Sequence, residues 1–175
     1  MAVKNKISVF DIALVAILAA IIFVLEQLLS NIPGVQLTIF LIVLFSKKLG
    51  TIKTCIIIII HVLLDNFAMS SFSLIYTPAM LIGWLIIPLT LNTIFKCVTN
   101  PILLGLLGAL YAFIYSWCFI IPSYLINGIK PIDYLISDFI FEIILAICSF
   151  LSIFWLYKPC DKLFNLLLRN NDVVE

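Results

Sequence analysis

The chain has 175 residues, is 65% hydrophobic and only 11% charged, and carries a net charge of +1. Soluble domains run to roughly half apolar and a quarter charged, so a water-exposed fold is excluded: too few polar side chains exist to cover its surface. No run of basic residues offers a nucleic-acid contact, and the near-neutral total hides a segregation of charge along the chain.

A helix crosses the hydrocarbon core with about 20 apolar residues. Spans are predicted near 8–29, 33–45, 49–65, 73–95, 101–122 and 134–157, giving a single-domain, all-α integral membrane protein of about six transmembrane helices. In the first, Lys4 and Lys6 precede the apolar run Ile12 to Leu25, and Ala19-Ala20 imitates a signal cleavage site. Because further spans follow, this segment reads as an uncleaved helix. At about 100° per residue, Ala13, Ala16 and Ala20 fall in one narrow stripe, over which another helix can approach closely, whether from the same chain or from another protein.

The second and third spans are short and meet at Ser46-Lys47-Lys48, which is read either as a turn between two full crossings or as a joint between two half-spanning helices. The third ends in His61-Val-Leu-Leu-Asp65-Asn66, with His61 and Asp65 one turn apart on the same face. An ionisable pair at that depth is a site by default, although Asp65 could simply accept from His61 and hold the helix end. The fourth span carries Tyr76 and Trp84, and the fifth carries Trp117, with Tyr124 and Asn127 beyond it. Together with Gln27 and Gln36, these rings and amides suit a flat ligand, but interfacial aromatic belts use the same residue types; Trp155 reads as belt alone.

Asp138 and Glu142 repeat the one-turn spacing in the sixth span. Two like acids repel there, so one is protonated or a cation lies close; His61, Lys130 or a donor-bearing ligand are the candidate partners. Cys55, Cys97, Cys118, Cys148 and Cys160 are scattered singly, with no metal-ligand spacing. No phosphate loop, nucleophile elbow or HExxH motif occurs, so no catalytic residue, metal or cofactor is assigned.

With six crossings, Lys4, Lys6, Lys47, Lys48, Lys53, Lys96, Lys158, Lys162 and Arg169 fall on one side and only Lys130 on the other. The positive-inside rule then makes both termini cytoplasmic. Glu26, Asp65 and Asp133 lie at the outer boundary, with Asp138 and Glu142 just inside it. The connection from Pro122 to Asp133 is read as an outer loop, and Asp161 to Leu168 as a short amphipathic tail.

An alanine stripe of the AxxxA kind (Ala16, Ala20), the loop Ile32-Pro33-Gly34-Val35 and polar groups at the outer helix ends resemble the substrate-binding S components of energy-coupling factor (ECF) vitamin transporters. The stretch from Pro33 to Pro88, with Tyr76-Thr-Pro-Ala-Met-Leu-Ile-Gly-Trp84, is the most similar part. The resemblance implies a cell-membrane protein of prokaryotic type that captures a vitamin-like ligand from outside and topples in the bilayer when a transmembrane coupling subunit and two ATPase subunits engage it. It places Ala13, Ala16 and Ala20 against the coupling subunit. The pocket would draw on Gln36, His61, Asp65, Asn66, Tyr76, Trp84, Trp117, Asn127, Asp138 and Glu142. The acidic outer face favours a neutral or cationic ring-bearing nutrient of the thiamine, riboflavin or modified-nucleobase sort over folate or pantothenate. Two other readings stand beside it: a proton-coupled secondary transporter using His61, Asp138 and Glu142, and an intramembrane enzyme using His61 with acids of the third and sixth spans.

Overall fold

The computed structural model describes residues 8–69 and 72–171, with side chains up to 167 in the last helix. Lys4, Lys6 and the side chain of Arg169 lie outside the described residues. Six helices follow in order: α1 Val9–Leu29, α2 Thr38–Ala68, α3 Tyr76–Leu91, α4 Pro101–Trp117, α5 Ile120–Asn127 and α6 Pro131–Asn171. Among the described residues there is no strand.

Helix α1 starts where a capping box allows it. Ser8 Oγ accepts from the Asp11 amide and the Asp11 carboxylate accepts from the Ser8 amide, each at 3.1 Å, which satisfies two donors that a helix start leaves open. Its buried side is formed by Val15, Leu18, Ala19 and Ile22. Helix α4 begins on an equally local signal, with Asn100 capping Ile102 and Pro101 at the first helical position.

Helix α2 is not straight. Gly50 sits at φ 79° and ψ 177°, a left-handed backbone that a residue with a Cβ rarely adopts. The chain folds back there, because Thr38 Oγ1 lies 3.5 Å and His61 Nε2 3.0 Å from the same Glu26 oxygen. An unbroken helix would hold residues 38 and 61 about 35 Å apart. The two arms, 38–49 and 51–68, are therefore antiparallel neighbours, roughly 18 and 27 Å long. The break lies at Gly50 rather than at Ser46-Lys47-Lys48, which remains helical: the Ser46 hydroxyl turns back onto Ile42 O at 2.6 Å. Lys47 reaches across to the turn after α3, donating to Phe95 O at 2.9 Å and Lys96 O at 3.2 Å.

Two further boundaries move. The predicted outer loop after Pro122 is partly helical, since α5 continues to Asn127 before Gly128 turns the chain at φ 68°. The expected separate tail is the continuation of α6, which passes Pro159 and runs to Asn171. Helix α6 lies close along α4, where glycines clear the way: a Cβ on Gly108 would come within 2.3 Å of Ile153 Cδ1. Small residues at such crossings let backbones approach, as helix pairs in lipid require.

Four helical stretches are long and apolar enough to cross a membrane, Val9–Leu29, Thr38–Ala68, Pro101–Asn127 and Pro131–Leu167. Cross-helix contacts sort their ends into two levels. At one level Lys53 pairs with Asp11, Lys48 with Asp161, and Asn92 donates to Ser46 O and Thr51 Oγ1. At the other, Glu26 meets α2, Asn66 accepts from Thr77 and Ser116 meets α6. The first end is rich in lysine and the second in carboxylates.

Candidate functional site

The acidic end holds two polar clusters and, in the same part of the chain, a pair of stacked rings. The first forms between α1 and the second arm of α2. Glu26, one of few ionisable groups in α1, approaches His61 at 3.0 Å, and Gln27 Nε2 donates to Asp65 Oδ1 at 3.0 Å. His61 is fully buried, and neither of its ring nitrogens meets an acceptor in hydrogen-bonding alignment. The one-turn spacing of His61 and Asp65 does not make them hydrogen-bond to each other; each turns to α1.

The second cluster joins α4 to α6. Ser116 Oγ lies 2.5 Å from Asp138 Oδ2 and 3.0 Å from Glu142 Oε1, and Tyr134 donates to Asp138 at 3.3 Å. Glu142 is buried. A hydroxyl has one hydrogen and can serve one carboxylate fully, so Asp138 and Glu142 compete for it. Ser116 and Tyr134 thus stand where His61 or Lys130 were expected; Lys130 is exposed and forms no ion pair among the described residues.

Tyr115 stacks on Trp84 with ring centroids 3.8 Å apart and is the chain neighbour of Ser116. Trp84 is fully buried and its Nε1 has no acceptor. Buried polar groups are nearly always paired, so the three unpaired ring nitrogens of Trp84 and His61 are exceptions in this core.

A cleft of about 270 Å³ opens onto the first cluster, lined by Glu26, Gln27, Gln36, Asp65 and the Pro33-Gly34 turn among others. That is just below the ~300 Å³ at which small-molecule sites begin. Gly34, at φ 74°, presses the turn onto α6, where a Cβ would meet Ile144 Cγ2 at 2.9 Å.

The remaining candidates fall into three places. Tyr76 and Asn127 meet at 2.9 Å, with Ser123 near the same hydroxyl, so they tie α3 to α5. Asn66 is buried and spent: it donates to Val62 O at 2.8 Å and accepts from Thr77 at 2.8 Å, pinning α2 to α3. Trp117 is 49% exposed and touches Phe113, so it faces away from both clusters. Glu26, Tyr115, Ser116 and Tyr134 are the members that motif reading missed. Glu26 was visible as a carboxylate ending an apolar helix, and Tyr134 as the residue one turn before Asp138 on the same face.

Ala13, Ala16 and Ala20 all lie on the exposed side of α1. The described chain therefore does not use the stripe for its own packing. Among the described residues no three His, Cys, Asp or Glu side chains group as metal ligands.

The fold and its polar ends define the class: an all-helical chain whose apolar helices fit a multi-pass membrane protein. Comparison with known proteins finds no matching family, no matching curated relative and no matching solved structure.

Proposed function

We propose that this chain is the substrate-binding S component of an ECF-type importer, crossing a prokaryotic cell membrane six times with both termini cytoplasmic. The six passes are α1, the two arms of α2, α3, α4 with α5, and α6. The lysine-rich end faces the cytoplasm, following the positive-inside rule. The observation that carries the reading is the alanine stripe of α1, left open by the chain's own packing. Small residues facing lipid gain nothing there, whereas a second protein's helix gains a close approach.

The acidic end is then the outward site. Glu26 and Asp65 would take the cationic or donor edge of a vitamin-like ligand, Trp84 Nε1 would supply a donor to its acceptor edge, and Tyr115 its flat support. A transmembrane coupling subunit and two ATPase subunits would bind at the stripe and drive release inside. Native mass spectrometry of the detergent-purified chain should find a stoichiometric ring-bearing small molecule. Replacing Ala16 and Ala20 with Leu should abolish uptake by the reconstituted complex and leave ligand binding intact. Loss of binding in that variant would sink the assignment of the stripe.

The Ser116 arrangement supports a second reading, a proton-coupled transporter, because Asp138 and Glu142 share one hydroxyl. It expects uptake by the chain alone into vesicles with an imposed proton gradient. The ECF reading expects none without coupling subunits and ATP.

A further inference from the structure

At the lysine-rich end, the fold-back at Gly50, the end of α3, the start of α4 and the late turns of α6 enclose a cleft of about 740 Å³. Five lysines line it, Lys47, Lys48, Lys96, Lys158 and Lys162, against one carboxylate, Asp161. Two of the five are committed. Lys47 donates to Leu91 O at the end of α3 and to Phe95 O and Lys96 O in the turn after it, and Lys48 pairs with Asp161 and with Asn165 Oδ1 at 2.9 Å. Lys96, Lys158 and Lys162 have no ion pair or hydrogen bond among the described residues. Tyr157, on the same wall, is 7% exposed, and its hydroxyl makes no hydrogen bond among the described residues.

Three uncompensated ammonium groups around one concavity repel one another, and the Tyr157 hydroxyl on the same wall is a free donor beside them. One anion with several acceptor oxygens relieves the repulsion and accepts from that hydroxyl. The carboxylate that could have neutralised the cleft is already held by Lys48. Trp155, 65% exposed and two residues before Tyr157, places the cleft at the level where indoles sit among headgroups. Basic pockets between helix ends at that level hold phosphate headgroups.

We propose that this cleft binds the phosphate of an anionic phospholipid, with Lys96, Lys158, Lys162 and Tyr157 as its ligands. The site is separate from the acidic end and does not depend on what binds there.

The test uses the full chain in nanodiscs of phosphatidylcholine alone or with phosphatidylglycerol, read by thermal unfolding and by native mass spectrometry of retained lipid. Phosphatidylglycerol should raise the unfolding midpoint and remain bound on release from the disc. In the triple variant Lys96→Gln, Lys158→Gln, Lys162→Gln, retention should weaken on the order of 100-fold. Tyr157→Phe, which keeps the ring, should weaken it less. An equal lipid effect in wild type and triple variant overturns the site. Inorganic phosphate or glycerol phosphate added to phosphatidylcholine discs distinguishes the source: a stabilisation matching that of the lipid overturns the headgroup assignment in favour of a soluble phosphate.

Discussion

The rings of Trp84 and Tyr115 lie 3.8 Å apart and 21° from parallel, deep in the chain, and the indole N–H of the pair has no acceptor. The stack exists because residue 83 is glycine: a Cβ there would come within 2.8 Å of the Tyr115 ring. Stacking holds the indole in place, and the unpaired N–H is the cost that the empty protein carries, about 1–3 kcal/mol for a buried donor. In Trp84→Phe the stack survives and the donor goes. The ligand-free variant should unfold at the same or a higher temperature, while affinity for the co-purifying ligand falls on the order of tenfold, the worth of one hydrogen bond. Differential scanning fluorimetry and a binding titration check both halves. A large drop in the unfolding temperature would instead make the indole a packing residue only.

Glu26 is the carboxylate to which Thr38 and His61 both turn, so the fold-back of α2 and the first polar cluster share one group. Removing it should cost more than either partner alone. In a double-mutant cycle of Glu26→Gln and His61→Gln, the coupling should be on the order of 1 kcal/mol or more, as for side chains in one network. The readout is reversible unfolding in mixed micelles. Additive single and double variants would show that the 3.0 Å approach contributes nothing to stability.

Gly50→Ala isolates the backbone at the fold-back. Nothing lies within 4 Å of the site a Cβ would occupy, so no clash confuses the result. A backbone conformation that only glycine adopts freely should cost a residue with a Cβ about 1–3 kcal/mol. A neutral Gly50→Ala would mean that the chain turns by another geometry.

Much of this fold was legible where a single helix carries the signal. The apolar runs, the alanine stripe, the lysine bias and the one-turn spacing of Asp138 and Glu142 are local periodicities, and the helices follow them. What escaped depends on contacts between helices. His61 and Asp65 share a face, which suggested a mutual pair, but only the fold-back at Gly50 reveals that Glu26 and Gln27 stand opposite them. Ser46-Lys47-Lys48 looked like a turn because it is polar; Lys47 stays helical by extending its ammonium to carbonyls at the α3 end and in the turn after it. Ser116 gave no signal at all in an apolar helix. Its meaning comes from α6 alongside.

The shared hydroxyl of Ser116 yields a pair of opposite expectations. Ser116→Ala leaves Asp138 and Glu142 facing each other without a donor, and should destabilise the chain by about 1–3 kcal/mol. Asp138→Asn supplies a donor in the same place, because the amide can give its hydrogen to Ser116 while Ser116 serves Glu142; its unfolding midpoint should match or exceed that of the wild type. Thermal unfolding of the two variants side by side decides. If both destabilise equally, the carboxylate of Asp138 is needed as such, and the account in which two carboxylates compete for one hydroxyl fails.

Orientation can be read from one native thiol and one introduced one. Cys97 is exposed beside Lys96 at the lysine-rich end, and Ser30 is exposed at the opposite end, just after α1. In cells carrying a variant with Cys55, Cys118, Cys148 and Cys160 replaced by Ser, a membrane-impermeant maleimide should leave Cys97 unlabelled until the membrane is opened. Adding Ser30→Cys should introduce labelling in intact cells. These two results together place the acidic end outside, as the proposed importer subunit requires. The reverse pattern would put the lysine-rich cleft outside, against the charge rule, and would remove the acidic clusters from any role in uptake.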